Sequence, residues 1–263
     1  MAARSWLFAP GHSQRILQKA FDSGADQVLL DLEDAVPADL KLSARSAVVE
    51  VLNSRQAWVR VNRACTDLGE ADLESVAGLA VGLRLPKVES AAEVAWAVER
   101  APGVPITATI ESALGIVRAF EIASAPGVVS LSYGGADLGL DLGIDPAGEE
   151  ETLHTRSSLV VASRAAGLEA PSDGVWVAFR DEAGLRREAE RARRLGYFGK
   201  SAIHPSQLAV IHEVFAPTAA ELAWAEKVLE AFEAAGGAAT KTGTGEMVDA
   251  PVAARARRIL ASR

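Results

Sequence analysis

Short apolar runs alternate along the chain with longer amphipathic stretches, and a charged or hydroxyl-bearing residue closes one run after another. Leu29-Leu30-Asp31-Leu32-Glu33 ends one, Trp58-Val59-Arg60 the next, and Leu83-Arg84-Leu85-Pro86-Lys87 a third; Thr109-Ile110-Glu111 and Leu131-Ser132-Tyr133, leading to Asp137, continue the series. The alternation predicts repeated βα units around a parallel sheet. Strands are expected at 5–9, 27–31, 57–61, 81–85, 105–110, 128–132 and 197–203, with a loosely patterned seventh position somewhere in 169–175. Helices are expected at 14–22, 40–52, 68–77, 91–100, 113–123, 153–166 and 205–214, together with one that Asp181 caps and Gly196 ends. A Gly- and Asp-rich loop is expected after the sixth strand. Eight such units make a (β/α)8 TIM barrel, in which the carboxyl ends of the strands converge on one mouth.

The pattern places the barrel in 1–215 and a C-terminal helix-loop-helix extension in 216–263. Thr218-Ala219-Ala220-Glu221 has the form of a capping box, and Leu222, Ala225, Leu229 and Phe232 follow as one apolar stripe. Gly236-Gly237 stops that helix. A polar loop over 240–245 leads to a last helix around 252–260.

The 263 residues, 49 % of them hydrophobic, suffice for a large core, and the length falls in the range of one such barrel. A net charge of −8 argues against a nucleic-acid-binding surface. No apolar run approaches the roughly 18 residues of a membrane span. Cys65 is the only cysteine, so an intrachain disulfide is excluded and a reducing cytoplasm is the expected location.

Glu111 and Asp137 follow successive strands, which are neighbours in a parallel barrel, so both carboxylates can reach one point above the core. Two carboxylate oxygens and several waters suit Mg²⁺. The same positions are also where helix caps fall, so spacing alone leaves both readings standing. Small residues in Gly134-Gly135-Ala136 let backbone N–H groups approach an oxyanion or carboxylate. Arg60, behind an apolar run, calls for an anion: a substrate carboxylate, or Asp31 or Glu33 on the neighbouring strand, or both. Asp31, Glu33 and Asp34 are too crowded to be direct ligands together, so contacts to metal-bound water suit them better. Lys87 reads as an ion-pair partner for these acids rather than a Schiff-base lysine, and His204, before Pro205, as a structural hydrogen-bonding group.

Seven segments occur in order: Arg4-Ser5-Trp6-Leu7-Phe8-Ala9-Pro10-Gly11, Leu30-Asp31-Leu32-Glu33-Asp34-Ala35-Val36, Val59-Arg60-Val61-Asn62, Leu85-Pro86-Lys87, Ile110-Glu111-Ser112, Gly134-Gly135-Ala136-Asp137-Leu138, and Gly199-Lys200 through Ile203-His204-Pro205. Together they resemble the citrate lyase β-subunit-like proteins of the HpcH/HpaI aldolase superfamily, relatives of malyl-CoA lyases, over nearly the whole chain. The resemblance implies a homotrimer or a pair of trimers with Mg²⁺ on Glu111 and Asp137. It implies that Arg60 contacts the oxo acid and the thioester or enolate oxygen, and that backbone at Gly135 and Ala136 holds the substrate carboxylate. It also puts Arg4 near the acyl-CoA end of the site. Gly245-Glu246-Met247-Val248-Asp249 resembles a C-terminal segment whose aspartate, here Asp249, enters a neighbouring subunit's site, although a cap for the last helix explains that residue equally well.

The expected activity is reversible cleavage of a 3-hydroxyacyl thioester (citryl-, malyl- or citramalyl-CoA, or the same acyl group on a carrier protein) to an acetyl thioester and a 2-oxo acid such as oxaloacetate. Three rivals stand beside it. Malate-synthase-like condensation with thioester hydrolysis would release free CoA. A CoA-independent pyruvate aldolase would ignore thioesters, and a non-catalytic acyl-carrier or small-acid-binding subunit would bind its ligand without metal.

Overall fold

The computed structural model describes residues 3–262. The chain forms two compact units, 2–212 and 213–263. In the first, β1 (Ser5–Pro10), β2 (Gln27–Asp31), β3 (Trp58–Arg60), β4 (Gly82–Leu85), β5 (Ile106–Ile110), β6 (Val128–Tyr133) and β7 (Lys200–Ala202) form one sheet in the order β6-β5-β4-β3-β2-β1-β7. Every pairing is parallel. Leu29, Leu30, Val59, Leu83, Leu85, Ile106, Ala108, Ile110 and Leu131 are wholly buried, as expected of strands covered on both faces.

The intervening helices are α1 (Gln14–Ala20), α2 (Lys41–Leu52), α3 (Asp67–Val76), α4 (Ala91–Arg100), α5 (Ala113–Val117), α6 (Ala119–Ala123), α7 (Gly135–Leu142), α8 (Leu153–Ala165), α9 (Glu182–Leu195) and α10 (Leu208–Phe215). Side chains of Thr66, Ser90, Ser112 and Asp181 each accept from an amide in the first turn of the following helix. Such caps satisfy donors that the helix leaves open and fix where the chain turns back.

Three segments differ from the pattern read in the sequence. The stretch expected as one helix over 113–123 breaks at Arg118 into α5 and α6. The glycine-rich segment expected as a loop contains the two-turn helix α7, in which Leu138 is buried and Gly143 ends the helix in the left-handed conformation. The seventh strand position is reduced to single parallel bridges, Ser132 to Ser172 and Asp173 to Lys200.

The second unit contains α11 (Ala219–Ala234), a hairpin of β8 (Thr240–Lys241) and β9 (Met247–Val248), and α12 (Ala250–Ala261). Thr218 and Glu221 form a reciprocal capping box at α11, and Asp249 caps α12. Ala225, Val228, Phe232, Val248, Ala253 and Ala256 make its core. Of the 240–245 stretch that the sequence presents as a polar loop, Thr240 and Lys241 form β8, which pairs with β9 beyond its end. Among the described residues no helix is long and apolar enough to cross a membrane.

Candidate active site

A cavity of about 170 Å³ opens at the carboxyl ends of the strands in the first unit. Arg60, Glu111, Gly135, Ala136 and Asp137, five of the residues singled out by the sequence, line it together. Glu111 follows β5 and Asp137 lies in the first turn of α7, whose start carries Gly134 and Gly135 to the cavity wall.

Glu111 is 6 % exposed. One of its oxygens, Oε1, accepts from the Lys87 backbone N–H at 2.6 Å. Burial, and next the negative charge of Asp137, push its carboxyl up to about 8. Asp137 is therefore close enough for its charge to oppose ionisation of Glu111, a repulsion that a cation would relieve. Gly134 explains how the backbone passes them: a Cβ there would lie 2.3 Å from Glu111 Oε2 and 2.4 Å from Glu111 Cβ. Any larger residue would displace the carboxylate. Two hard oxygen donors, one raised in pKa, in a space kept open by a glycine, fit a divalent cation such as Mg²⁺. Among the described residues no cluster of three or more His, Cys, Asp or Glu is placed to hold a metal, so solvent or substrate oxygens would complete the coordination.

Beside this pair stands an ionic lattice that organises Arg60. Its Nε and Nη2 donate to the two oxygens of Asp31, both at 2.7 Å, and Nη1 lies 2.9 Å from Glu33 Oε2. The fork is matched in the sheet register, where Asp31 and Arg60 are partners on β2 and β3. Burial works against the guanidinium, but the hydrogen bonds and charge of Asp31 outweigh it and hold Arg60 firmly protonated. The planar group also lies over the Phe8 ring, 4.6 Å from its centroid. Lys87 Nζ reaches Glu33 at 2.6 Å and Asp34 at 2.8 Å, which overcomes its partial burial and raises its pKa. A lysine held so strongly charged is no Schiff-base nucleophile. Its backbone adopts φ +53°, in the left-handed region, while its amide N–H is directed at Glu111. Asp31, Glu33 and Lys87 thus fix Arg60 and the backbone that holds Glu111.

Other candidates fall elsewhere. Arg4 precedes β1, at the amino end of the strands, and pairs with Asp26 at 3.2 Å. The structure does not bring it to the cavity, because the mouth lies at the opposite ends of the strands. Asp249 belongs to the second unit, where its carboxylate accepts from the Val252 N–H at 3.1 Å. His204 has the structural role expected of it: Nδ1 accepts from the Ser206 N–H at 3.1 Å, and the ring stacks on Phe179.

Sequence reasoning passed over several cavity residues. Arg84, Thr109, Ser132 and Ser201 come from within the strands, and Trp176, Arg156 and Glu188 from the side. Arg84 carried a legible signal, a charge between two leucines in the middle of a strand. Arg156 and Glu188 carried none, being charged residues on amphipathic helices. Arg156 bonds Asp173 and, at 2.9 Å, Glu188, while Lys200 also bonds Asp173. These buried ion pairs anchor the 172–173 segment between β6 and β7.

Two carboxylates and a forked arginine at the strand ends of a parallel α/β fold make a donor set suited to a divalent cation and a small anion. The chain itself belongs to the HpcH/HpaI aldolase/citrate lyase family, whose sequence profile matches residues 4–205; a profile for C–C bond lyases of the TIM-barrel fold matches 158–262. It is 40 % identical over 239 residues to a (3S)-malyl-CoA thioesterase of Cereibacter sphaeroides, covering 88 % of this chain and 84 % of that one. It is 37 % identical to a citrate lyase subunit beta-like protein of Deinococcus radiodurans, covering 98 % and 96 %. The crystal structure of the Mycobacterium tuberculosis protein CitE in complex with magnesium, acetoacetate and coenzyme A is similar over 99 % of this chain and 98 % of its own, with a TM-score of 0.85 and 35 % identity.

Proposed function

We propose that this protein is a Mg²⁺-dependent lyase that cleaves a 3-hydroxyacyl thioester reversibly to an acetyl thioester and a 2-oxo acid. The observation that carries the reading is the meeting of Glu111, Asp137 and Arg60 on one cavity. The fold assigned to it is a closed (β/α)8 barrel of 1–215 with 216–263 as a helical extension. The bridges from Ser172 to β6 and from Asp173 to β7 support closure, since they occupy the remaining strand position.

Glu111 and Asp137 would hold the cation, which when bound supplies Lewis-acid stabilisation of charge on the substrate's oxygens. The chain's own groups account for the rest. Backbone at Gly135 and Ala136 orients the carboxylate of the acid, at the amino end of α7 where N–H groups are open. The substrate hydroxyl passes its proton to the carboxylate assigned to this step, Asp249 of another copy, as its oxygen becomes the ketone of the 2-oxo acid. The adjoining C–C bond breaks, and its electron pair moves into the acetyl thioester as an enolate. Arg60, already fixed by Asp31 and Glu33, donates its remaining N–H bonds to that enolate oxygen. The enolate carbon then takes a proton, a step assigned to Asp249 of another copy in a homotrimer or pair of trimers. A mixture of Glu111→Ala and Asp249→Asn proteins, each inactive alone, is expected to regain part of the wild-type turnover. Inactivity of the mixture, with mixed assemblies demonstrated, rejects delivery from another copy.

Citryl-CoA, malyl-CoA and citramalyl-CoA, each supplied with Mg²⁺ and followed by product analysis, test the whole reading. The expected result is acetyl-CoA and a 2-oxo acid in equal amounts from at least one of them, lost with chelator and restored by Mg²⁺. The similarity to a malyl-CoA thioesterase favours a second reading, hydrolysis of the thioester on the same site. Free CoA and intact malate from malyl-CoA would establish that reading and displace the lyase.

A further inference from the structure

The chemistry above leaves one buried cation unused. Arg84 lies in β4 between Leu83 and Leu85, so strand alternation sends it to the opposite face from those leucines, and it is 1 % exposed. It lines the same cavity, three residues before Lys87 and thus deeper in the sheet than the strand ends. Its Nη1 donates to Ser201 Oγ at 3.0 Å, while Nε and Nη2 have no hydrogen-bond partner. Trp6 and Phe8 flank the guanidinium, 4.7 and 5.7 Å from it to the ring centroids.

The other arginines at comparable depth make the contrast. Buried Arg156 and Arg191 pair with Asp173 and Glu188, and half-buried Arg45 and Arg60 pair with Asp72 and Asp31. Among the described residues no carboxylate pairs with Arg84. Burying a guanidinium without an anion is strongly unfavourable, and ring stacking offsets only part of that cost. A second cavity-lining group is also short of a partner: the buried Thr109 Oγ1 has none. Two unpartnered groups on one cavity wall, with the Ser201 hydroxyl beside them, describe a seat for an oxyanion.

We propose that Arg84, with Thr109 and Ser201, receives a second carboxylate of the substrate, so that the site selects a dicarboxylic 2-oxo acid over a monocarboxylic one. The assignment rests on the lyase reading above and extends it from reaction type to substrate class. The α-carboxylate and oxo group remain with the Glu111, Asp137 and α7 end, and the distal carboxylate reaches down to Arg84. Arg84 touches substrate in this arrangement but takes no part in breaking the bond.

Calorimetry with Mg²⁺ and two four-carbon acids separates the cases: oxaloacetate carries the distal carboxylate, and 2-oxobutanoate has a methyl in its place. Wild-type protein is expected to bind oxaloacetate at least about tenfold more tightly, the scale of one charge-assisted hydrogen-bonded pair. Arg84→Met is expected to bring the two affinities within about threefold by weakening oxaloacetate alone, with Arg84→Lys recovering part of the difference. Equal weakening of both acids, or of neither, overturns the assignment. Thr109→Val, a near-isosteric change, provides a second route if Arg84→Met does not fold: it is expected to weaken oxaloacetate severalfold and leave 2-oxobutanoate unchanged, and no effect on either overturns the assignment. Wild-type protein that binds neither acid with Mg²⁺ overturns the lyase reading as well. Binding of both with equal affinity overturns only the role of Arg84.

Discussion

Glu111→Gln is expected to lower Mg²⁺-dependent turnover by roughly a thousandfold, the kinetic equivalent of losing several kcal/mol of charge stabilisation. It is also expected to make the metal-free protein more stable than wild type at alkaline pH. The second effect follows from linkage. The Glu111 carboxyl has its pKa raised from an ordinary 4.5 to about 8 by burial and by Asp137. Between these values the folded protein keeps a proton that the unfolded chain releases. Stability therefore falls as pH rises across that window, and the loss is complete above pH 8. Below about 4.5 both states are protonated and the penalty vanishes. Glutamine does not titrate, so the variant escapes the penalty, on the order of a few kcal/mol at pH 8.5.

A divalent cation reverses the sign. It binds the ionised carboxylate and displaces the proton, so wild-type stabilisation by Mg²⁺ is expected to grow from pH 6 to pH 8.5 while that of the glutamine variant stays small. Melting temperatures of both proteins in chelator and in Mg²⁺, at several pH values across this range, give the answer. Parallel melting profiles in chelator would show that Glu111 is not the group strained by burial. A Mg²⁺ response retained in the variant would remove Glu111 from the cation site.

The strands were legible because each is a near-continuous apolar run of the kind that a parallel sheet buries on both faces. Observed β2 lies at the expected position, and β1, β3, β4, β5 and β6 differ by one residue at one or both ends. The residues after those runs were legible for the same reason: a charge that interrupts an apolar pattern at regular intervals has to have a partner. Glu111, Asp137 and Arg60 stood out in this way. What escaped the reading is held by interactions that leave no periodic trace. The 169–175 segment is attached by Asp173, which is fully buried between Arg156 and Lys200 rather than by an apolar side chain. Helix α7 was obscured because four of its eight residues and its cap are weak helix formers by composition: Gly135, Asp137, Gly139 and Asp141 inside it, and Gly134 before it. Burial of Leu138 and the need to pass Glu111 closely override that propensity. Arg4, which the motif resemblance carries toward the acyl-CoA end of the site, stands on the amino side of β1 and pairs with Asp26.

Arg60→Met is expected to combine a large loss of stability with a loss of turnover, and the two are separable. Arg60 is the sole cation bonded to Asp31 among the described residues, and Asp31 is completely buried. Removing the guanidinium strands that carboxylate, at a cost of about 3–5 kcal/mol for a broken buried pair. It also releases one of the two cations that hold Glu33, leaving Lys87. Turnover is expected to fall by about a hundredfold or more from the missing donor to the enolate oxygen. Adding Asp31→Asn to Arg60→Met removes the stranded charge, so the double variant is expected to recover most of the lost stability while turnover stays low. Arg60→Lys tests the fork separately: it keeps the charge but cannot reproduce the paired 2.7 Å bonds to both Asp31 oxygens, and is expected to fall between wild type and Arg60→Met in both measures. Denaturant unfolding and steady-state kinetics on the four proteins distinguish the roles. If turnover returned together with stability in the double variant, Arg60 would be a positioning residue alone, and the enolate would need another donor from the cavity wall.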